Sequence, residues 1–189
     1  MIRLMASIFT AFAVGALVLP DALAQAAPAA NDKAVRGKYL VTTSGCNDCH
    51  TPWVMGPKGP EPDMSRMLSG HPAGEQLPPP PKPSGPWIVA AAATNTAWSG
   101  PWGVSYTANL TPDAETGIGR WTQKNFNDTI RTGRHLGRGR EILPPMPIPM
   151  YKHFTDADLE AIFAYLQSIP AVRNKVPEPL APPAAVAAK

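Results

Sequence analysis

The stretch Cys46-Asn47-Asp48-Cys49-His50 sets two thiols three positions apart, with an imidazole directly behind the second. On a helix the two cysteines lie about one turn apart, so both sulfurs can reach one edge of a flat ligand. The Cys-x-x-Cys-His pattern is the attachment signature of a c-type haem: two thioethers to the vinyl groups, and the histidine as proximal iron ligand. Two other chemistries use paired cysteines. A structural zinc site needs four ligands, and the chain has no second pair to complete one. A thioredoxin-like dithiol needs a βαβ setting that the flanking sequence does not supply. Both cysteines are therefore assigned to one covalent haem, and none is left for a disulfide.

Working outward towards the N-terminus, Asn31 or Asp32 is placed to cap a helix through Lys33 to about Thr42. Val35, Tyr39 and Val41 offer that helix an apolar side, and Gly37 leaves room for a second helix to approach. Further upstream, Arg3, the apolar run Ile8 to Leu19 and Ala22-Leu23-Ala24 form an export signal. Residues 1–24 are thus expected to be a cleaved signal peptide and 25–31 a flexible tether. The expected location is the periplasm, and no membrane span is expected in the mature chain. The formal net charge of +3 is too small to call for nucleic acid.

Beyond His50 the character changes. Residues 51–86 hold eleven prolines, with Pro78 to Pro81 in a run, which excludes a helix of any length. The same segment carries Trp53, Met55, Met64, Met67 and Leu68, more apolar surface than a solvated linker needs. Residues 51–103 are expected to be an insertion: 51–86 an ordered loop wrapped over one haem edge or else a disordered linker, Ile88 to Ala93 a buried extended segment or small strand, and Gly100-Pro101 a break. Thr116-Gly117-Ile118-Gly119 lacks the third glycine, the strand and the acidic residue of a dinucleotide fingerprint. Thr122 caps a short helix that stops at Gly133. Arg131, Arg134, His135, Arg138 and Arg140 follow as a basic cluster, read as solvated, as neutralising propionates, or as docking an acidic partner.

Leu143 to Met150 contains four prolines and two thioethers and reads as stiff and extended. Thr155-Asp156-Ala157-Asp158 then opens a helix whose Leu159, Ile162, Phe163 and Leu166 fall on one stripe, ending at Ile169-Pro170. Residues 171–189 are an Ala/Pro tail, draped or mobile. For the sixth iron position the candidates are Met146, Met150, His71, His135 and His153, with Met55, Met64 and Met67 behind them. Met146 leads because Pro145 and Pro147 hold it rigidly.

These residues resemble the class I (mitochondrial-type) cytochrome c family. The resemblance rests on Gly37 in a first helix, Cys46 to His50, the Met-Pro segment, and Ala161-Ile162-Phe163-Ala164-Tyr165-Leu166 in the last helix. It covers roughly residues 32–50 and 104–170. It implies an all-α fold, a small helical domain (32–170) around one covalent haem with a long Pro-rich insertion. It also implies that Gly37 meets Tyr165 or Phe163 where the first and last helices cross, and that Met146 completes His/Met ligation. The stretches 106–121 and 146–170 look closer still to bacterial periplasmic single-haem modules, which occur alone or as cytochrome subunits of dehydrogenases. The expected function is electron transfer rather than catalysis, to a dehydrogenase or oxidase. A haem enzyme such as a peroxidase, using His135 or His153, and a haem-based ligand sensor are the alternatives.

Overall fold

Two helices from opposite ends of the chain close the core. The computed structural model describes residues 30–81 and 86–182, so the expected signal peptide lies outside the described residues. Helix α1 (Ala30–Thr43) starts no later than Ala30, which places Asn31 and Asp32 within it rather than at its cap. Its buried side is Gly37, Leu40 and Val41. Val35 and Tyr39, expected on the apolar side, are exposed instead. The reason is the close crossing with the last helix, α5 (Asp156–Ser168), which puts the glycine face inward.

A side chain at Gly37 would meet the backbone oxygen of Ala161 and the Cβ of Tyr165, so Tyr165 is the aromatic at the crossing. Phe163 turns the other way and packs against Phe126, with ring centroids 5.4 Å apart. Thr155 caps α5 by accepting from Asp158 N at 3.1 Å. Lys33–Glu160 and Arg36–Asp158 ion pairs flank the crossing at 2.7 and 3.0 Å. These pairs are part exposed and contribute little. The stabilisation comes from Val41, Leu159 and Leu166, each essentially removed from water, at about 1.5–3 kcal/mol apiece.

Between these helices lie α2 (Cys46–His50), α3 (Gln123–Thr132) and the single turn α4 (Ile148–Tyr151). Helix α3 has the Thr122 cap, closed reciprocally by Asn125, and stops at Gly133 in the left-handed region (φ 67°). Its Phe126 and Ile130 join the α1–α5 core. The segment before α4 is not extended as expected: Pro144 and Pro145 lie in a turn, Met146 in a bend, and Ile148 to Tyr151 form a helical turn.

The all-α expectation is overturned by two small antiparallel sheets. The first is a hairpin of β1 (Trp53–Gly56) and β2 (Gly59–Pro62), in register from Trp53↔Pro62 to Gly56↔Gly59. The second has the order β3 (Ala90–Ala91), β4 (Ala97–Gly100), β5 (Gly103–Tyr106). Prolines exclude a helix but not an edge strand, whose outward N–H positions need no partner. The segment 51–106 thus meets the backbone requirement in short hairpins around a helical domain.

Candidate functional site

Helix α2 is a single turn, entered through Gly45 in the left-handed region (φ 70°) and ended by extended Thr51. It places Cys46, Cys49 and His50 on the wall of one cavity of about 630 Å³, within the usual range for cofactor sites. His50 is buried, and its Nδ1 lies 2.8 Å from the carbonyl oxygen of Ala108. A carbonyl only accepts, so Nδ1 carries the proton and Nε2 keeps its lone pair. Burial lowers the His50 pKa and keeps the ring neutral, as a metal ligand must be. Burial also pushes the Cys46 thiol up to about 11 and raises that of Cys49. That is opposite to the lowered pKa of a reactive dithiol.

The opposite chain segment contributes Ile142 to Pro147, and Met146 lines the cavity together with Tyr151. Ser105 Oγ donates to Pro144 O at 2.5 Å, fastening this segment to β5. The Tyr151 hydroxyl donates to Ser44 O, fastening the turn after it to the approach to α2. Leu110, Ile118, Trp121, Phe126 and Ile130 supply much of the remaining apolar wall. Met150 lies outside the cavity and is 71% exposed.

The other sixth-position candidates separate clearly. His135 lines the cavity, edge-on to Trp121 at 5.3 Å. His71 is completely buried but faces Thr96 Oγ1 at 2.9 Å, away from the cavity lining. His153 is exposed, as are Met55 and Met64. The Met67 sulfur accepts from the Tyr165 hydroxyl at 3.8 Å. The basic cluster also divides. Arg131 is engaged elsewhere, donating to Phe154 O at 2.6 Å and pairing with Asp156 at 2.6 Å. Arg140 reaches the cavity and pairs with Glu178 at 3.5 Å.

Two features of the site escaped the sequence. None of the described residues of 51–103 lines the cavity, whereas the insertion was expected to wrap over it. Instead Lys175 to Pro179 form one wall, making a strap of the tail. Its near end is pinned where Asn109 Nδ2 donates to Val172 O at 2.8 Å and Asn174 N donates to Thr116 Oγ1 at 2.9 Å. At its far end Val104 and Leu180 exchange both backbone hydrogen bonds at 2.9 Å. Asn109 and Thr116 are the polar residues that could have hinted at this. Among the described residues, no group of three or more His, Cys, Asp or Glu could hold a bare metal ion.

A family model for cytochrome c matches residues 34–170. This chain belongs to the cytochrome c family. Covalent haem c binding and electron transfer come with that membership, and the cavity fits the group: thiols at one edge, a neutral imidazole inside, apolar walls. The cytochrome is 41% identical over 88 residues to a nicotinate dehydrogenase subunit from Pseudomonas putida, a match covering 46% of this chain and 7% of that protein. It is 27% identical over 171 residues to the cytochrome c subunit of a quinone alcohol dehydrogenase from Gluconobacter oxydans, covering 89% and 28%. With the gluconate 2-dehydrogenase cytochrome c subunit of Pantoea cypripedii the identity is 31% over 137 residues, covering 72% and 23%. The cytochrome thus spans less than a third of the length of each of these relatives. Among the described residues no helix is long and apolar enough to cross a membrane.

Proposed function

We propose that this cytochrome is an exported periplasmic electron carrier with a single haem, serving a dehydrogenase either as its cytochrome subunit or as a free acceptor. Cys46 and Cys49 would hold the haem covalently, and His50 and Met146 would ligate its iron. The observation that carries this reading is that one apolar cavity brings together those four side chains, which come from segments about a hundred residues apart. When bound, the haem supplies a one-electron ferric/ferrous couple. His50 would present Nε2 to the iron, its Nδ1 being held by the Ala108 carbonyl. The proline-flanked Met146 would supply a thioether, a ligand that favours the ferrous state. The chain carries the electron and leaves substrate chemistry to the partner. The relatives' description as dehydrogenase subunits supports that choice of partner.

The test is haem stoichiometry and linkage on the exported protein. One haem per chain is expected, resistant to acidified acetone. Extractable haem, or a ratio other than one, would overturn the reading. For the partner, a dehydrogenase should co-purify with the cytochrome or reduce it faster than an unrelated cytochrome c.

The strap makes a separate prediction. A chain ending at Asn174 keeps the near-end pins and loses the wall from Lys175 to Pro179. Water then reaches the cavity, and the more highly charged ferric state gains most from that solvation. The reduction potential should fall while the covalent haem is retained. Redox titration beside the full chain decides it, and an unchanged potential would mean the strap excludes no water.

A further inference from the structure

The carbonyl of Ala108, which accepts the His50 proton, is held by the insertion rather than by the helical core. The turn Leu68–His71 grips both sides of that contact. Gly70 N donates to the His50 carbonyl at 2.8 Å, and His71 N donates to Thr107 O at 3.0 Å. Leu110 N donates back to Leu68 O at 2.9 Å. Leu68 and His71 are fully buried, and Leu68 N is itself anchored to Thr51 Oγ1 at 2.9 Å. The turn depends on two residues in the left-handed region, Leu68 at φ 59° and Gly70 at φ 77°. A Cβ at Gly70 would stand 2.5 Å from Thr107 O, 2.6 Å from Ala108 C and 2.7 Å from Asn109 N. These are backbone atoms of the segment that receives the imidazole's proton, with no flexible side chain to give way. From outside, Asn174 Nδ2 donates to Ser69 O at 2.7 Å and to His71 O at 2.8 Å, clamping the turn in place.

We propose that the Leu68–His71 turn is a positioning element for the proximal ligand. Gly70, by its lack of a side chain, sets how closely the Ala108 carbonyl approaches His50 Nδ1. The inference rests on reading His50 as the iron ligand. A short Nδ1–H···O bond gives the imidazole partial anionic character and makes Nε2 a stronger donor. A stronger donor favours the ferric state and lowers the potential. The insertion then tunes the redox couple from behind the proximal histidine, without lining the cavity.

The test is Gly70→Ala in the full-length holo-protein. The added methyl should push residues 107–109 away from His50 and lengthen the bond. The ferrous/ferric preference should shift about tenfold towards ferrous, at the low end for loss of an outer partner. That is a rise of about 59 mV for a one-electron couple. The His50 Nδ1–H, followed by NMR, should exchange faster with solvent, and acidified acetone should still leave the haem on the chain. A fully haem-loaded Gly70→Ala protein with unchanged potential and unchanged Nδ1–H exchange would overturn the proposal. Should that variant fail to fold, Asn174→Ala loosens the same turn while touching neither His50 nor Ala108, and a smaller rise is expected. An unchanged potential there overturns the proposal equally. The ligand reading fails differently: His50→Ala would then leave the wild-type spectrum intact.

Discussion

Met146→Ala should abolish the sulfur-to-iron charge-transfer band of the ferric protein, lower its reduction potential and let cyanide bind quickly. Met150→Ala should leave all three near wild type. The asymmetry follows from placement. Met146 is part buried on the wall of the cavity that also holds Cys46, Cys49 and His50. Met150 lies in helical turn α4 with its side chain mostly in water. A thioether in the sixth position stabilises ferrous iron, and its loss removes that preference. Each tenfold change in ferrous/ferric preference is about 59 mV, and at least two such steps, about 120 mV, are expected here. The cavity closes without the thioether only if another group moves in, and His135 brings a second imidazole to its wall. A variant with a new low-spin spectrum and no cyanide binding would show that replacement. A variant indistinguishable from wild type would remove Met146 from the ligand set.

The family was legible at Cys46 to His50 because a covalent linkage leaves a sequence little freedom. Two sulfurs one helical turn apart and a histidine beside them are what the geometry of one porphyrin edge requires. The place of Met146 on the cavity wall was legible for a related reason, since proline on both sides is the local signature of a fixed side chain. The crossing of α1 and α5 was visible through Gly37, but the face it selects was not. Val35 and Tyr39 look like core residues by type, yet the close contact at Gly37 turns them to solvent.

Of the two sheets only β3 showed, inside the apolar run Ile88 to Ala93, and the rest were hidden for a different reason. Gly100-Pro101-Trp102-Gly103 reads as a break, and in the fold it is the turn of the β4–β5 hairpin, with Gly100 paired to Gly103. Pro60 and Pro62 likewise sit in a two-stranded hairpin. Proline argues only against helix, and strand pairing is decided by partners outside any local window. The strap lies further still from local reading, because Val172 and Asn109 are 63 residues apart in sequence. The Ala and Pro that dominate the tail give no sign of what pins it, Asn109 and Thr116 elsewhere and Asn174 within it.

Gly37→Ala should destabilise the holo-protein, against the direction that helix propensity dictates. In an exposed helix interior, Gly to Ala gains about 1 kcal/mol. Here a Cβ would overlap the Ala161 oxygen and lie 2.6 Å from Ala161 C and 2.7 Å from Tyr165 Cβ. Two of these atoms belong to the backbone of α5, so relief requires the two helices to separate. Separation strips contacts from Leu40, Val41 and Leu159, all buried in the core. Overpacking of this kind costs about 1–3 kcal/mol, and Gly37→Val, with two further methyl groups, belongs at or above the upper figure. For a chain of this size about 3 kcal/mol corresponds to a fall in Tm of roughly 6–12 °C. Gly74→Val is the matched control, since a Cβ there meets nothing within 4 Å. Its effect should stay within about 0.5 kcal/mol. Thermal and denaturant melts of wild type and the three variants, each with its haem content verified, decide the matter. If Gly37→Ala is more stable than wild type, the glycine is an ordinary exposed helix position. The close contact between α1 and α5 would then not be what holds the domain shut around its haem.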